Sequence, residues 1–222
     1  PLIFTTVVCL TIAGAWPAAQ QVAPSMYGEM RWRMIGPFRG GRTRPVAGVH
    51  GTPDILYIAQ VNGGVWRSDD AGRTWQPIFD DQPTQSIGAL AVAPSDPNTI
   101  YAGSGEGLHR PDLSIGDGIY KSTDGGKSWS LIKDGMIDDS DVFAVTIDPR
   151  NADHIVASAC SGIYESFNAG EKWGKIQGIP SQSRRTRDIL QHPTRPGTIY
   201  AATTEGFWMS VNGGKSWSMT TS

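Results

Sequence analysis

One octapeptide pattern occurs four times along these 222 residues, and no other feature constrains the fold as tightly. Ser68–Trp75 reads SDDAGRTW, Ser122–Trp129 reads STDGGKSW, Ser166–Trp173 reads SFNAGEKW and Ser210–Trp217 reads SVNGGKSW. Ser stands first, Asp or Asn third (Asp70, Asp124, Asn168, Asn212), Gly fifth (Gly72, Gly126, Gly170, Gly214) and Trp eighth. The starts are separated by 54, 44 and 44 residues, so the first interval carries an insertion, placed at Ser104–Asp117. A repeat of this length is one supersecondary unit that buries its apolar faces only against neighbouring copies.

The pattern has a local physical logic. Ser and Asp or Asn oxygens accept hydrogen bonds from nearby backbone N–H groups and close a tight turn. Gly in fifth place supplies the positive φ that such a turn requires. The Trp then opens an outer strand and can bury its ring against its own or a neighbouring unit, worth roughly 4–6 kcal/mol as an upper bound. Upstream of each octapeptide lie three β-rich runs, for example Val46–Val49, Ile55–Ala59 and Gly64–Arg67 in the first unit, and a short fourth run follows the Trp. Four short strands per period of about 44 residues predict an all-β chain of propeller blades. A 12-residue calcium loop would need further oxygen ligands and a distal Glu, so the octapeptides are expected to be structural turns.

Composition excludes several classes. Nineteen basic against 21 acidic residues leave a net charge of −2, without the basic surface that phosphate binding needs, so nucleic acid is not an expected partner. There is no nucleophile elbow, no phosphate-binding glycine loop and no Cys/His pair at zinc spacing, so neither metal nor cofactor is expected. The four histidines (His50, His109, His154, His192) fall about one per unit and read as structural or surface groups.

Residues 2–16 form an almost unbroken apolar stretch followed by Pro17, Ala18 and Ala19. This predicts a signal peptide over 1–19, a linker over 20–30 and a secreted or periplasmic protein. The stretch is shorter than the about 20 residues of a membrane helix, so no span is expected after cleavage, an uncleaved anchor being the alternative. No charged segment or Met precedes it, so the natural chain is expected to begin upstream. Cys9 would leave with the leader, and Cys160 is expected to be a small buried hydrophobe in a strand.

The four octapeptides resemble the Asp-box (BNR) motif, which marks the hairpin between the third and fourth strands of a propeller blade. The resemblance covers roughly residues 31–220 and implies blades over about 44–80, 87–134, 141–178 and 187–221, with a strand at 31–35 closing the last blade. Asp-box propellers resemble six-, seven- or ten-bladed rings, so the four blades are expected to be part of a larger ring. A four-bladed ring, or closure by dimerisation, is the alternative.

Blade strand order puts the Asp boxes on one face, with the turns at Pro94–Asn98 and Asp148–Asp153. The opposite face, where propellers hold ligands, receives Arg39, Arg42 and Arg44, Asn62, and the insertion with Glu106, His109, Arg110 and Asp112. Blade junctions add Asp80, Asp81, Asp138, Asp139, Asp141, Arg184, Arg185 and Arg187. Arginines and carboxylates converging on a funnel could bind an anionic group bidentately or do acid–base work.

Four resemblances bear on function. Sialidases share the scaffold, but Gly36-Pro37-Phe38-Arg39-Gly40-Gly41 lacks the Ile-Pro that follows Arg in their early motif. Tyr57–Arg67 is similar to the early motif of two-domain xyloglucan hydrolases, yet Asn62 stands where that family has a catalytic Asp, and an amide does not titrate in the useful range. Trp32 through Trp129, including Ser104-Gly105-Glu106-Gly107, resembles sortilin-like N-terminal propellers. Gln191–Ala201 is similar to exported propellers related to the photosystem II assembly factor. The last two imply a noncatalytic propeller that binds protein or peptide on the face opposite its Asp boxes. A BNR-repeat glycoside hydrolase, with glycan as the ligand, is the alternative.

Overall fold

The computed structural model describes residue 23 and residues 41–107, 116–137, 141–179 and 186–221. Residues 39–222 form one compact unit, and residues 1–38, of which only the exposed Ala23 is described, form another. The leader, the linker apart from Ala23, and the strand expected at 31–35 therefore lie outside the described residues, as do Arg39, His109, Arg110, Asp112, Asp138, Asp139, Arg184 and Arg185.

Among the described residues, sixteen strands fold as four consecutive antiparallel sheets. The first contains β1 (Thr43–Val49), β2 (Thr52–Gln60), β3 (Gly64–Ser68) and β4 (Gln76–Pro77), hydrogen-bonded in chain order. The second contains β5 (Ile87–Ala93), β6 (Asp96–Ser104), β7 (Ile119–Ser122) and β8 (Ser130–Leu131). The third contains β9 (Val142–Asp148), β10 (Asn151–Ala159), β11 (Gly162–Ser166) and β12 (Gly174–Ile176). The fourth contains β13 (Thr186–Gln191), β14 (Ile199–Thr203), β15 (Gly206–Ser210) and β16 (Ser218–Thr221). No helix occurs among the described residues. The all-β propeller architecture expected from the repeat is what the chain adopts.

The octapeptides act through the same bonds in every blade. Ser68 Oγ accepts from the N–H groups of Asp70 (3.3 Å) and Gly72 (2.8 Å) and donates to Asp70 Oδ1 (2.8 Å). Asp70 in turn accepts from the N–H (2.8 Å) and hydroxyl (2.7 Å) of Thr74. Ser122, Ser166 and Ser210 repeat the bond to the fifth-place glycine at 2.9 Å. Those glycines have φ between 81° and 91°, which a Cβ disfavours. The fourth-place N–H ties each box to the β-turn beside it: Ala71 to Asp54 O, Gly125 to Asn98 O, Ala169 to Asp153 O and Gly213 to Gly197 O. Boxes and first-to-second-strand turns thus share one face.

Three apolar cores fill the three blade junctions. Between blades one and two, Val49, Tyr57, Ala59, Val65 and Phe79 meet Leu90, Ile100, Ala102 and Tyr120. Phe79 packs edge-on against Tyr120 and Trp129, ring centroids 5.1 Å apart in both pairs. Between blades two and three, Tyr101 and Ile119 meet Val145, Ile155, Tyr164 and Trp173. Between blades three and four, Val156 and Ile163 meet Ile189, Ile199 and Trp208. Inner strands such as β5 (IGALAVA) are apolar on both sides because each side meets a different blade.

Two indoles latch these junctions. Trp129 Nε1 donates to Ile78 O (2.7 Å) and Trp173 Nε1 to Ile132 O (2.9 Å), each just past the outer strand of the preceding blade. Trp75 and Trp217 instead donate to Gly72 O and Gly214 O of their own boxes. Cys160 departs from expectation: it is half-buried in the β10–β11 turn, where its N–H donates to Asp141 O (2.9 Å), so it is not a buried strand residue.

Candidate functional site

On the face opposite the boxes, the innermost strands of all four blades begin, and their first residues converge. Arg44 on β1 binds every other blade: its guanidinium donates to Gly88 O on β5 (3.0 Å), to Phe143 O on β9 and to Arg187 O on β13. Burial pushes the pKa of Arg44 down and Arg187 adds to this, while Asp188 opposes it. Five donors in a rigid fork suit a group that must satisfy carbonyls from several strands at once.

Arg42, just before β1, forms an ion pair with Glu106, whose side chain is fully buried. The Glu106 N–H donates to Asp141 Oδ1 (3.3 Å), and Gly105 exchanges bonds with Ser86, its N–H to Ser86 O (2.8 Å) and its carbonyl from Ser86 Oγ (3.1 Å). A Cβ on Gly105 would collide with the Asp141 carboxylate, and one on Gly107 with the Arg44 side chain. The Ser104–Gly107 segment is therefore glycine-flanked because it threads between two charged groups.

Arg187 lies over the Phe143 ring, its guanidinium carbon 5.0 Å from the centroid. Asn62 is exposed at the β2–β3 turn with φ 59°, a left-handed conformation that Asn tolerates. Its neighbour Val61 donates to Arg42 O (3.1 Å), which sets that turn beside the Arg42–Glu106 pair.

The structure thus brings together Arg42, Glu106 and Arg187 of the sequence candidates, with Asn62 in the adjoining turn. Sequence reasoning named Arg44 and Asp141 only among general approach and junction charges, and it missed Ser86, Phe143 and Asp188. The Ser-Gly-Glu-Gly run signalled close backbone approach, but no residue type signals a carbonyl that an arginine will reach. Among the described residues no group of three His, Cys, Asp or Glu is placed to hold a metal ion.

A second charged cluster lies on the box face at the third junction. His154 Nδ1 is 3.4 Å from Asp148 Oδ2 and Nε2 is 3.8 Å from Glu165 Oε2, with the imidazole stacked on Phe167 at 4.5 Å. Burial pushes the Glu165 carboxyl up, opposed by His154 and Lys215. His50 is exposed, and His192 Nδ1 accepts from the N–H groups of Thr194 and Arg195 (3.1 Å each) in a surface turn.

Comparison with known proteins agrees with this architecture. Residues 120–131 match the BNR/Asp-box repeat family. A xyloglucanase from Paenibacillus sp is 29% identical over 121 residues, 52% of this chain and 12% of that protein. The vacuolar protein sorting/targeting protein 10 of Sordaria macrospora is 32% identical over 79 residues, 36% of this chain and 4% of that protein. Among solved structures, an ancestral GH74 enzyme superposes with a TM-score of 0.69 at 22% identity, covering 84% of this chain and 25% of that one. YCF48 bound to D1 peptide superposes at 0.56 with 16% identity, covering 82% of this chain and 55% of that one. The chain spans about an eighth of the length of the xyloglucanase and a quarter of the GH74 enzyme.

Proposed function

We propose that this chain is the exported, noncatalytic part of an Asp-box propeller that binds a protein or peptide segment on the face opposite its boxes. The observation that carries the reading is the engagement of two carboxylates described on that face: Glu106 is buried against Arg42, and Asp141 accepts from the Glu106 backbone. A glycosidase needs two carboxyl groups free to take and give protons beside the sugar. Asn62 stands where the resemblance to xyloglucan hydrolases places one of them.

The peptide bound by the YCF48 neighbour and the sorting-protein relative support a protein or peptide ligand. Export is supported by the apolar leader over 1–19, and membership of a larger ring by the greater length of the relatives. The second reading, a xyloglucan-active propeller with catalytic groups elsewhere in a longer protein, is favoured by the xyloglucanase similarity.

Xyloglucan oligosaccharides and a library of extended peptides separate the two. We expect no sugar turnover, and peptide binding weakened at least about tenfold by Arg187→Ala, equivalent to about 1.4 kcal/mol, while Lys127→Ala on the box face leaves it unchanged. Xyloglucan hydrolysis abolished by Glu106→Gln overturns the noncatalytic reading.

A further inference from the structure

The three internal junctions are closed differently on the box side. Past β8, Asp134 and Gly135 run hard along the third box: the Trp173 N–H donates to Asp134 O (2.8 Å), and a Cβ on Gly135 would collide with the Trp173 carbonyl. Past β12, Gly178 lies against the fourth box, where a Cβ would stand 3.1 Å from Trp217 Cδ1. Met136 and Ile179 then pack onto the second and third junction cores. A glycine is what permits a chain to pass the box backbone at this distance.

At the first junction the residue in register with Gly135 is Asp81. Up to that point the seams agree, because Ile78 packs on Gly126 as Ile132 packs on Gly170. Beyond it the chain leaves the box. Phe79 folds inward and is 1% exposed, and its carbonyl accepts from the Gln82 N–H (3.1 Å) and from Gln85 Nε2 (3.1 Å), which fixes a turn. Asp80 and Asp81 are exposed, and among the described residues no backbone carbonyl bonds the Trp129 N–H as Asp134 bonds that of Trp173. Between residues 77–82 and 125–129 this leaves a cleft of about 580 Å³, floored by Ile78, Phe79 and the half-buried Trp129. That volume lies within the range of ligand sites, about 300–1,000 Å³.

We propose that this cleft docks an extended peptide segment of a partner protein, one that carries glycine where this chain carries Asp81. The molecule supplies the template, since residues 133–137 occupy the equivalent seam one blade further on. The partner segment gives a carbonyl to the Trp129 N–H, as Asp134 does to Trp173. Its glycine passes the Trp129 backbone, as Gly135 passes that of Trp173, and the next side chain lies toward the junction as Met136 does. The site is on the box side of the first junction and is independent of the axial face.

Backbone amide exchange followed by NMR on the purified chain tests this, with acetyl-Lys-Asp-Gly-Met-Ile-amide, the sequence of residues 133–137, as the probe. Exchange of the Trp129 amide is expected to slow about twofold when the probe is present at its Kd, and further as the probe rises. The Trp173 amide, already bonded to Asp134 O, is expected to be unchanged. The same peptide with valine in place of glycine is expected to leave Trp129 unaffected. Absence of slowing at Trp129 with millimolar probe overturns the proposal, and equal slowing by the valine peptide overturns the glycine requirement and with it the template. The axial reading is followed in the same spectra at the Arg187 amide, so the two fail separately: a probe that perturbs Arg187 and spares Trp129 binds the opposite face and overturns the cleft.

Discussion

Truncating Trp173 isolates how far this fold depends on contacts between blades. The indole is 3% exposed within the core of blades two and three, and its Nε1 donates to Ile132 O on the preceding blade. Trp173→Ala removes the whole ring from a packed site and is expected to lower stability by about 3–5 kcal/mol. Trp173→Phe keeps most of the ring but leaves the Ile132 carbonyl without its donor, for a loss of about 1–3 kcal/mol. Trp75 provides the internal control, being half-buried and with its Nε1 bonded to Gly72 O of its own box rather than to another blade. Trp75→Ala is therefore expected to fall near about 1–2 kcal/mol, the transfer contribution of a partly buried side chain. Urea titration followed by far-UV circular dichroism reads these differences as shifts of midpoint at constant slope. Equal losses at Trp75 and Trp173 would refute the reasoning, because they would mean that the box Trp acts inside its own turn.

Two pH predictions follow from the boxes and the third junction. The Asp70 carboxyl is pulled down to about 2 by bonds from Thr74 and Ser68, and Asp124 is likewise held low by Ser128 and Ser122. Their contribution is complete above the ordinary carboxylate range and is lost as pH falls through the folded values, so stability should drop below about pH 4. Asp70→Asn with Asp124→Asn should flatten that limb, since Asn168 and Asn212 already accept the same N–H bonds, and an unchanged acid midpoint would count against it. Glu165 has the opposite sign. Its carboxyl is pushed up, so the native state prefers the proton and loses stability as pH rises through the carboxylate range. Glu165→Gln should therefore gain thermal stability over wild type at neutral pH and show no gain in acid, with calorimetry as the check.

The parts of this fold legible in sequence are those that a residue encodes by itself. Ser-x-Asp-x-Gly states its own turn, because the oxygen acceptors, the amides they bind and the left-handed glycine all lie within five residues. Strand alternation and the 44-residue period then give blade order and faces. The axis site was legible only as a collection of charges. Arg44 reaches carbonyls that lie 44, 99 and 143 residues away, and a carbonyl has no sequence signature. Glu106 read as a loop charge within reach of ligand, whereas its flanking glycines let it sink fully into the interior against Arg42.

The residue just before each box shows why an exact sequence repeat need not be an exact structural one. Arg67 donates to Gly125 O of the second box (3.1 Å) and Lys121 to Ala169 O of the third (3.0 Å), so each bridges forward to the next blade. Glu165 and Met209 occupy the same register and carry no donor for that carbonyl. The substitution is visible in the sequence, but its consequence lies one blade ahead, on a backbone oxygen. At the third junction Glu165 turns instead toward His154, its Oε2 3.8 Å from the imidazole Nε2. Blade-to-blade association in this protein is therefore decided by shape and apolar area first, with the polar bridges adding selectivity where a donor happens to stand before the box.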